Sequence, residues 1–234
     1  PVLNEEGTLS PNVERLMAFL SNNMTDYNCQ IIIADNGSTD ATPNIAESLA
    51  IKHHHVNWLR LEERGRGLAL RTAWLQSSAD IVAYMDVDLS TDLTAMPDLI
   101  GAIRYDGYAV ALGSRLVRGA RGMGRPRLRD VISRAYSFIF RVFFPEMFGY
   151  PLGFRSWFLS GFQDAQCGFK ALSRQAVTDL VPLVRDTGWF FDTELLLLAA
   201  RNGYRIKEIP VQWTDDPDSR VKIVPTACED IKGL

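Results

Sequence analysis

Two short apolar runs that each end on carboxylates limit the folds open to this chain. Gln30-Ile31-Ile32-Ile33-Ala34 runs into Asp35-Asn36-Gly37-Ser38-Thr39-Asp40, and Ile81-Val82-Ala83-Tyr84 runs into Met85-Asp86-Val87-Asp88. Each run has the length of a buried strand and closes on turn-forming residues. Between them the apolar spacing changes to that of helices. Asn12 to Ser21 carries Val13, Leu16, Met17 and Leu20 on one face, with Ser10 and Pro11 as cap and first turn. Ala41 to Ile51, Gly67 to Ser78 and Ala95 to Arg104 are further predicted helices; Val56 to Leu61 and Ala109 to Leu112 are predicted strands. Trp189 to Glu194 leads into an apolar helix through Ala200, and Tyr204 to Trp213 alternates as one strand.

Strands and helices in alternation predict an open, mostly parallel, Rossmann-like α/β sheet with helices on both faces. Ligands of such sheets collect at the carboxyl ends of the strands. Asp35 and Asp86 both fall at such ends, so one crevice can hold both. No Gly-x-Gly-x-x-Gly or Walker loop follows the early strands, which argues against a dinucleotide dehydrogenase or a P-loop enzyme. The 234 residues are expected to form one domain.

Asp86 and Asp88 carry the most chemistry. Along an extended chain, residues two apart face the same side, so their carboxylates would project together and repel. A hard divalent cation, Mg²⁺ or Mn²⁺, resolves that repulsion and is commonly shared with a diphosphate. Two solvated aspartates at a strand end are the plainer alternative.

The composition changes after Leu112. Arg115, Arg118, Arg121, Arg125, Arg127 and Arg129 follow among glycines without an acid, and Asp130 to Tyr150 reads as a helix rich in phenylalanine. A basic loop feeding an amphipathic aromatic segment predicts a membrane-facing helical insertion. A helix packed on the core beneath solvated arginines is the alternative. The net charge of -3 argues against nucleic acid as a partner. Three widely spaced cysteines form no disulfide framework or zinc pattern, and they suit a reducing compartment. No apolar stretch has the length of a membrane span. The opening at Pro1 and the stop at Leu234 leave room for anchoring segments or a subunit beyond these residues.

Taken together, Pro1-Val2-Leu3-Asn4-Glu5-Glu6, Asp35 to Asp40, Gly65-Arg66-Gly67, Asp86 to Ser90 and Gly113-Ser114-Arg115 resemble the inverting family 2 glycosyltransferases with a GT-A fold. Asp164 to Lys170, Trp189 to Glu194 and Glu208-Ile209-Pro210-Val211 resemble the polyprenyl-phosphate branch of that family, the dolichyl-phosphate glucosyltransferases and mannose synthases. The resemblance implies transfer of a hexose from UDP-glucose or GDP-mannose to a polyprenyl or dolichyl phosphate, at the cytoplasmic face of a membrane. It divides the domain into a nucleotide-sugar half, 1–112, and an acceptor half, 113–234. It places Pro1, Leu3, Glu5, Ile33, Asp35, Met85, Asp86, Val87, Asp88 and Arg220 at the nucleotide sugar, with Asp86 and Asp88 on the metal. Arg115, Arg129 and Ser133 fall at the acceptor phosphate, and Arg115 and Asp164 join the two metal aspartates as catalytic. Asp164 is the candidate base or orienting group, with a plain turn residue as its alternative.

The sequence departs from the family pattern in four places: Asn36 for a second aspartate, Arg66 for a lysine, Ser90 at a variable metal-contacting position, and Arg220 for a lysine. A saccharide hydroxyl as acceptor, or a non-catalytic nucleotide-binding protein of the same fold, are the other readings. Residues 53–55, three consecutive histidines, are expected to be a solvated helix end, and Cys167 is not expected to be a nucleophile. Asp192 and Glu194 are expected to serve the start of their helix electrostatically; in the family they border the acceptor site.

Overall fold

The computed structural model describes residues 1–123 and 162–214. Its elements are α1 (Leu9–Asn23), β1 (Ile31–Asn36), α2 (Thr42–Lys52), β2 (Val56–Leu61), α3 (Arg66–Gln76), β3 (Ile81–Met85), α4 (Met96–Arg104), β4 (Val110–Ser114) and β5 (Arg121–Met123). After residue 161 come β6 (Phe169–Ser173), α5 (Arg174–Leu180), α6 (Phe191–Arg201), β7 (Ile206–Pro210) and β8 (Gln212–Thr214). The expected insertion helix, with Arg129 and Ser133, lies outside the described residues, as does Arg220.

Local periodicity predicted most of these elements within a residue or two. Helix α1 starts earlier than Ser10 and Pro11 imply, with Thr8 before it and Leu9 N–H bonded to the Glu5 carbonyl. Proline costs no hydrogen bond in a first turn, so it does not mark the boundary sharply. The single strand expected from Tyr204 to Trp213 is two. β7 pairs in parallel with β4 as far as Ser114–Pro210, and β8 then pairs in parallel with β5. The break at Val211 mirrors its partner chain, which leaves the ladder between Ser114 and Arg121.

β1 and β2 pair in parallel, and Val2 adds a parallel bridge to Asp35. A four-stranded sheet runs β3-β6-β4-β7. The α/β architecture is as expected, and the departure from parallel order comes from β6, antiparallel to both β3 and β4. Side chains on β4 and β6 alternate between two cores. Val110, Leu112 and Leu172 join Leu70, Trp74, Phe191 and Leu195 beneath α3, α5 and α6. Ala111, Phe169 and Ala171 join Leu99, Ile100 and Ile103 beneath α4. Each large aliphatic or aromatic side chain buried this way contributes about 1.5–3 kcal/mol. The same alternation sends Lys170 into the first core, where it is fully buried. No helix among the described residues is long and apolar enough to cross a membrane.

Candidate active site

At the end of β3 the chain does not stay extended. Leu89 N–H bonds to the Asp86 carbonyl at 3.1 Å, so residues 86–89 form a turn, and Leu89 takes a positive φ of 51°. Strand alternation therefore does not relate Asp86 to Asp88; the turn does. Its conformation is held from three sides. Asn12 Nδ2 donates to the Val87 carbonyl, Ser90 N–H donates to Asp88 Oδ1, and the Leu89 side chain is buried near α4. Asp92 and Thr214 N–H groups then bond to the Gln212 and Ser90 carbonyls, fastening β8 alongside. Met85 is the last residue of β3, paired with Phe169, and Val87 packs on the cluster beneath α1.

Asp86 is fixed at both backbone and side chain. Its N–H bonds to the Gly168 carbonyl at 3.1 Å, and its Oδ1 accepts from Arg66 Nη2 at 3.0 Å. Its carboxylate occupies the space where a side chain on residue 168 would begin: a Cβ there would lie 1.7 Å from Oδ2. Gly168 is thus required by the position of Asp86. The Asp86 side chain stays 46% exposed. Among the described residues no group of three or more His, Cys, Asp or Glu could enclose a metal, and residues 53–55 form no such site. Two accessible carboxylates are a hard-oxygen set that suits Mg²⁺ or Mn²⁺, ions that leave positions for water and phosphate.

The strand end of β1 forms the neighbouring wall. Asp35 is fully buried; Ser38 N–H donates to its Oδ1, and its Oδ2 has no hydrogen-bond partner among the described residues. Ile33 lies deeper, in the cluster of Val2, Leu9 and Val13. The Val2 bridge carries Pro1 and Leu3 past Asp35, and Pro1 lies within electrostatic reach of Arg66 and Asp86. Glu5 N–H donates to Thr42 Oγ1 at 2.7 Å, while its Oε2 accepts from Thr8. Glu5 also lines a hollow of about 460 Å³ with Asn4, Gly7 and Asp40. Asn36 has a role of its own: its Oδ1 accepts from Gly65 N–H, tying the β1 loop to the start of α3.

Opposite, Arg115 and Asp164 form a closed pair. Arg115 donates to Asp164 through its backbone N–H, Nε and Nη2 at 2.9, 2.7 and 2.7 Å. Burial pushes the Asp164 carboxyl up, but the Arg115 charge and hydrogen bonds outweigh it and hold the group below its ordinary range. Such a carboxylate is a poor proton acceptor, so the geometry favours the orienting role over the base. Glu208 Oε1 in turn accepts from the Gln163 and Asp164 N–H groups. Arg115 lies within electrostatic reach of Asp86, which places both in one locale. The Cys167 thiol is pushed up to about 11, chiefly by burial and then by Asp164, in keeping with an inert group.

Sequence reasoning missed the buried network behind Asp86. Arg66 bonds through Nη1 to Asp192 Oδ2 and through Nη2 to Asp86. Asp192 Oδ1 accepts from Tyr84 and pairs with Lys170 at 3.0 Å, and Lys170 also donates to the Cys167 carbonyl at 2.6 Å. Asp192 is therefore more than a helix-start charge; it is the buried counter-ion of two cations. Its burial pushes its carboxyl up, and Lys170 and Arg66 more than reverse this. The Arg66 guanidinium lies 5.1 Å from the Tyr84 ring and 4.9 Å from that of Trp189. The signal available in the sequence was Lys170 itself, a charge inside an apolar strand pattern. Phe190 and Phe191 pack in the core, and Glu194 accepts from the Arg185 and Asp186 N–H groups.

Comparison with known proteins converges on one group. The chain is 36% identical over its whole length to Glycosyltransferase AglD of Haloferax volcanii, of which it covers 35%. It is 27% identical to a dolichyl-phosphate beta-glucosyltransferase of Trichomonas vaginalis, across 95% of this chain and 65% of that protein. The chain thus spans about a third to two thirds of these relatives' length. Among solved structures, glucosyl-3-phosphoglycerate synthase of Mycobacterium tuberculosis, in complex with Mn²⁺, uridine diphosphate and phosphoglyceric acid, superposes with a TM-score of 0.70. That match covers 99% of this chain and 74% of the other at 19% identity, which speaks for a shared GT-A fold. The sequence profile of Glycosyl transferase family 2 matches residues 1–180, through the Asp86 turn and Gly168, and the chain belongs to that family.

Proposed function

We propose that this protein transfers a hexose, with inversion, from a nucleotide-diphosphate sugar to a polyprenyl phosphate such as dolichyl phosphate at the cytoplasmic face of a membrane. The observation that carries the reading is the Asp86 carboxylate, seated over Gly168, anchored through one oxygen by Arg66 and still open to solvent. Asp86 and Asp88 would hold Mg²⁺ or Mn²⁺. When bound, the ion would offset charge developing on the departing diphosphate. Asp35 Oδ2, buried and without a hydrogen-bond partner among the described residues, suits a ring N–H of the base. Pro1, Leu3, Glu5, Ile33, Met85 and Val87 complete the donor wall, with Arg220 at the diphosphate. The donor is UDP-glucose or GDP-mannose; the dolichyl-phosphate beta-glucosyltransferase among the relatives supports glucose and the lipid phosphate.

A phosphate acceptor is largely dianionic near neutral pH, since its second ionisation lies near pH 6. It attacks without first losing a proton, so no strong general base is required. The engagement of Asp164 with Arg115 supports this over a saccharide hydroxyl, which would need a base. Arg115, Arg129 and Ser133 would draw in the acceptor phosphate and offset its repulsion from the donor. The acceptor half, 113–234, would face the membrane.

Asp88→Ala is expected to abolish transfer of radiolabelled sugar to polyprenyl phosphate while leaving the fold intact. Near-normal metal-dependent transfer by that variant would remove the reading. Transfer to a saccharide in place of the lipid phosphate would move it to the other acceptor class.

A further inference from the structure

Arg66 joins two carboxylates of different kinds. Its Nη2 reaches Asp86, at the half-exposed rim, and its Nη1 reaches Asp192, which is buried. Stacking against Tyr84 and Trp189 fixes the plane of the guanidinium. Asp192 is held through its other oxygen by Tyr84 and Lys170, and Lys170 is tied to the Cys167 carbonyl, next to the glycine beneath Asp86. The starts of α3, β6 and α6 thereby converge on one side chain at the end of β3.

We propose that Asp192 is a positioning residue for the Asp86 carboxylate, acting through Arg66, and that it reserves part of the Arg66 charge so that Asp86 stays available to a divalent cation. The inference rests on the metal reading given above. Two cations, Arg66 and Lys170, face two anions, Asp86 and Asp192. Without the Asp192 charge, both donor-bearing edges of Arg66 turn to Asp86, and the guanidinium occupies the carboxylate that a metal needs. A lysine at position 66 keeps the charge but lacks the planar fork that bridges two carboxylates.

The test is Mn²⁺ titration of the full-length protein followed by EPR, alone and with UDP or GDP, alongside thermal unfolding. Asp192→Asn is expected to weaken Mn²⁺ binding by about 10-fold or more, the usual effect of losing a group that orients a metal ligand. Because it leaves two buried cations against one acid, it can also impair folding. The charge-balanced pair Asp192→Asn with Lys170→Met removes the same hold on Arg66 without that imbalance and is expected to lose Mn²⁺ affinity likewise. Arg66→Lys should fall in the same direction. Wild-type Mn²⁺ affinity in the folded double variant would overturn the inference. Asp88→Ala separates the two failures. If it too binds Mn²⁺ normally, the metal reading falls and this inference with it; if it alone loses Mn²⁺, only the role of Asp192 is refuted.

Discussion

Asp164 takes three hydrogen bonds from a single residue, Arg115: one from its backbone N–H and two from its guanidinium. The arginine end of β4 is thereby locked to the segment leading into β6, with 15% of the Arg115 side chain and 2% of Asp164 exposed. A pair so enclosed gains from its own attraction and loses heavily when one partner is removed.

Asp164→Asn is expected to cost about 3–5 kcal/mol of stability at neutral pH, because Arg115 stays buried without its counter-charge. The folded carboxyl lies below its ordinary value, with Arg115 overriding burial. Its contribution is therefore complete above the unfolded pKa of about 3.9 and disappears as pH falls through the lower folded value. Urea unfolding of both proteins should show a wide gap at neutrality that narrows in acid. A gap independent of pH would speak against the ion pair.

Gly168→Ala is expected to displace the Asp86 carboxylate, since the new Cβ would lie 1.7 Å from Oδ2. Misplacement on this scale lowers turnover by about 100-fold. Donor transfer and thermal unfolding measured together distinguish this from global damage: activity should fall far more than stability. Equal activity would mean that Asp86 has room the structure does not show.

Asp35→Asn exchanges an acceptor for an amide. A hydrogen bond to a charged group contributes about 1.5–3 kcal/mol, so nucleotide affinity should drop by about 10-fold or more. The effect should appear in binding of the nucleotide and in KM for the donor, with little change in the requirement for lipid phosphate. Isothermal titration with UDP and GDP checks it and identifies the base in the same experiment.

Glu208 titrates in the opposite sense to Asp164. Burial is the largest influence and raises its carboxyl above the ordinary value, even though it accepts from Gln163 and Asp164. Ionisation therefore costs stability as pH rises through the folded value. Glu208→Gln keeps an acceptor oxygen without the charge and should gain on the wild type as pH rises from about 4, the unfolded value, toward neutrality. Glu208→Ala leaves two N–H groups unpaired and should lose about 1–3 kcal/mol. Unfolding curves across that range compare all three.

The helices α1 to α4 and α6, and the strands β1 to β4, were readable because periods of 2 and 3.6 are properties of neighbouring residues; α5, a short helix, was not predicted. Asp35 and Asp86 were readable as acids at strand ends for the same reason: each ends an apolar run. β6 was not, since Lys170 interrupts its apolar pattern, and a lysine belongs in a core only when a counter-ion is brought to it. That counter-ion, Asp192, also meets Arg66 across 126 positions of sequence. Local spacing carries no record of such a partnership. Likewise, a turn rather than a strand relates Asp88 to Asp86, and the need for glycine at 168 exists only because the Asp86 carboxylate, at the end of β3, fills its space. Residue order alone determined most of the segments that coil or extend and where the acids emerge. Tertiary packing decided which charges meet, because burial makes an unpaired charge too costly to keep and so selects partners from anywhere in the chain.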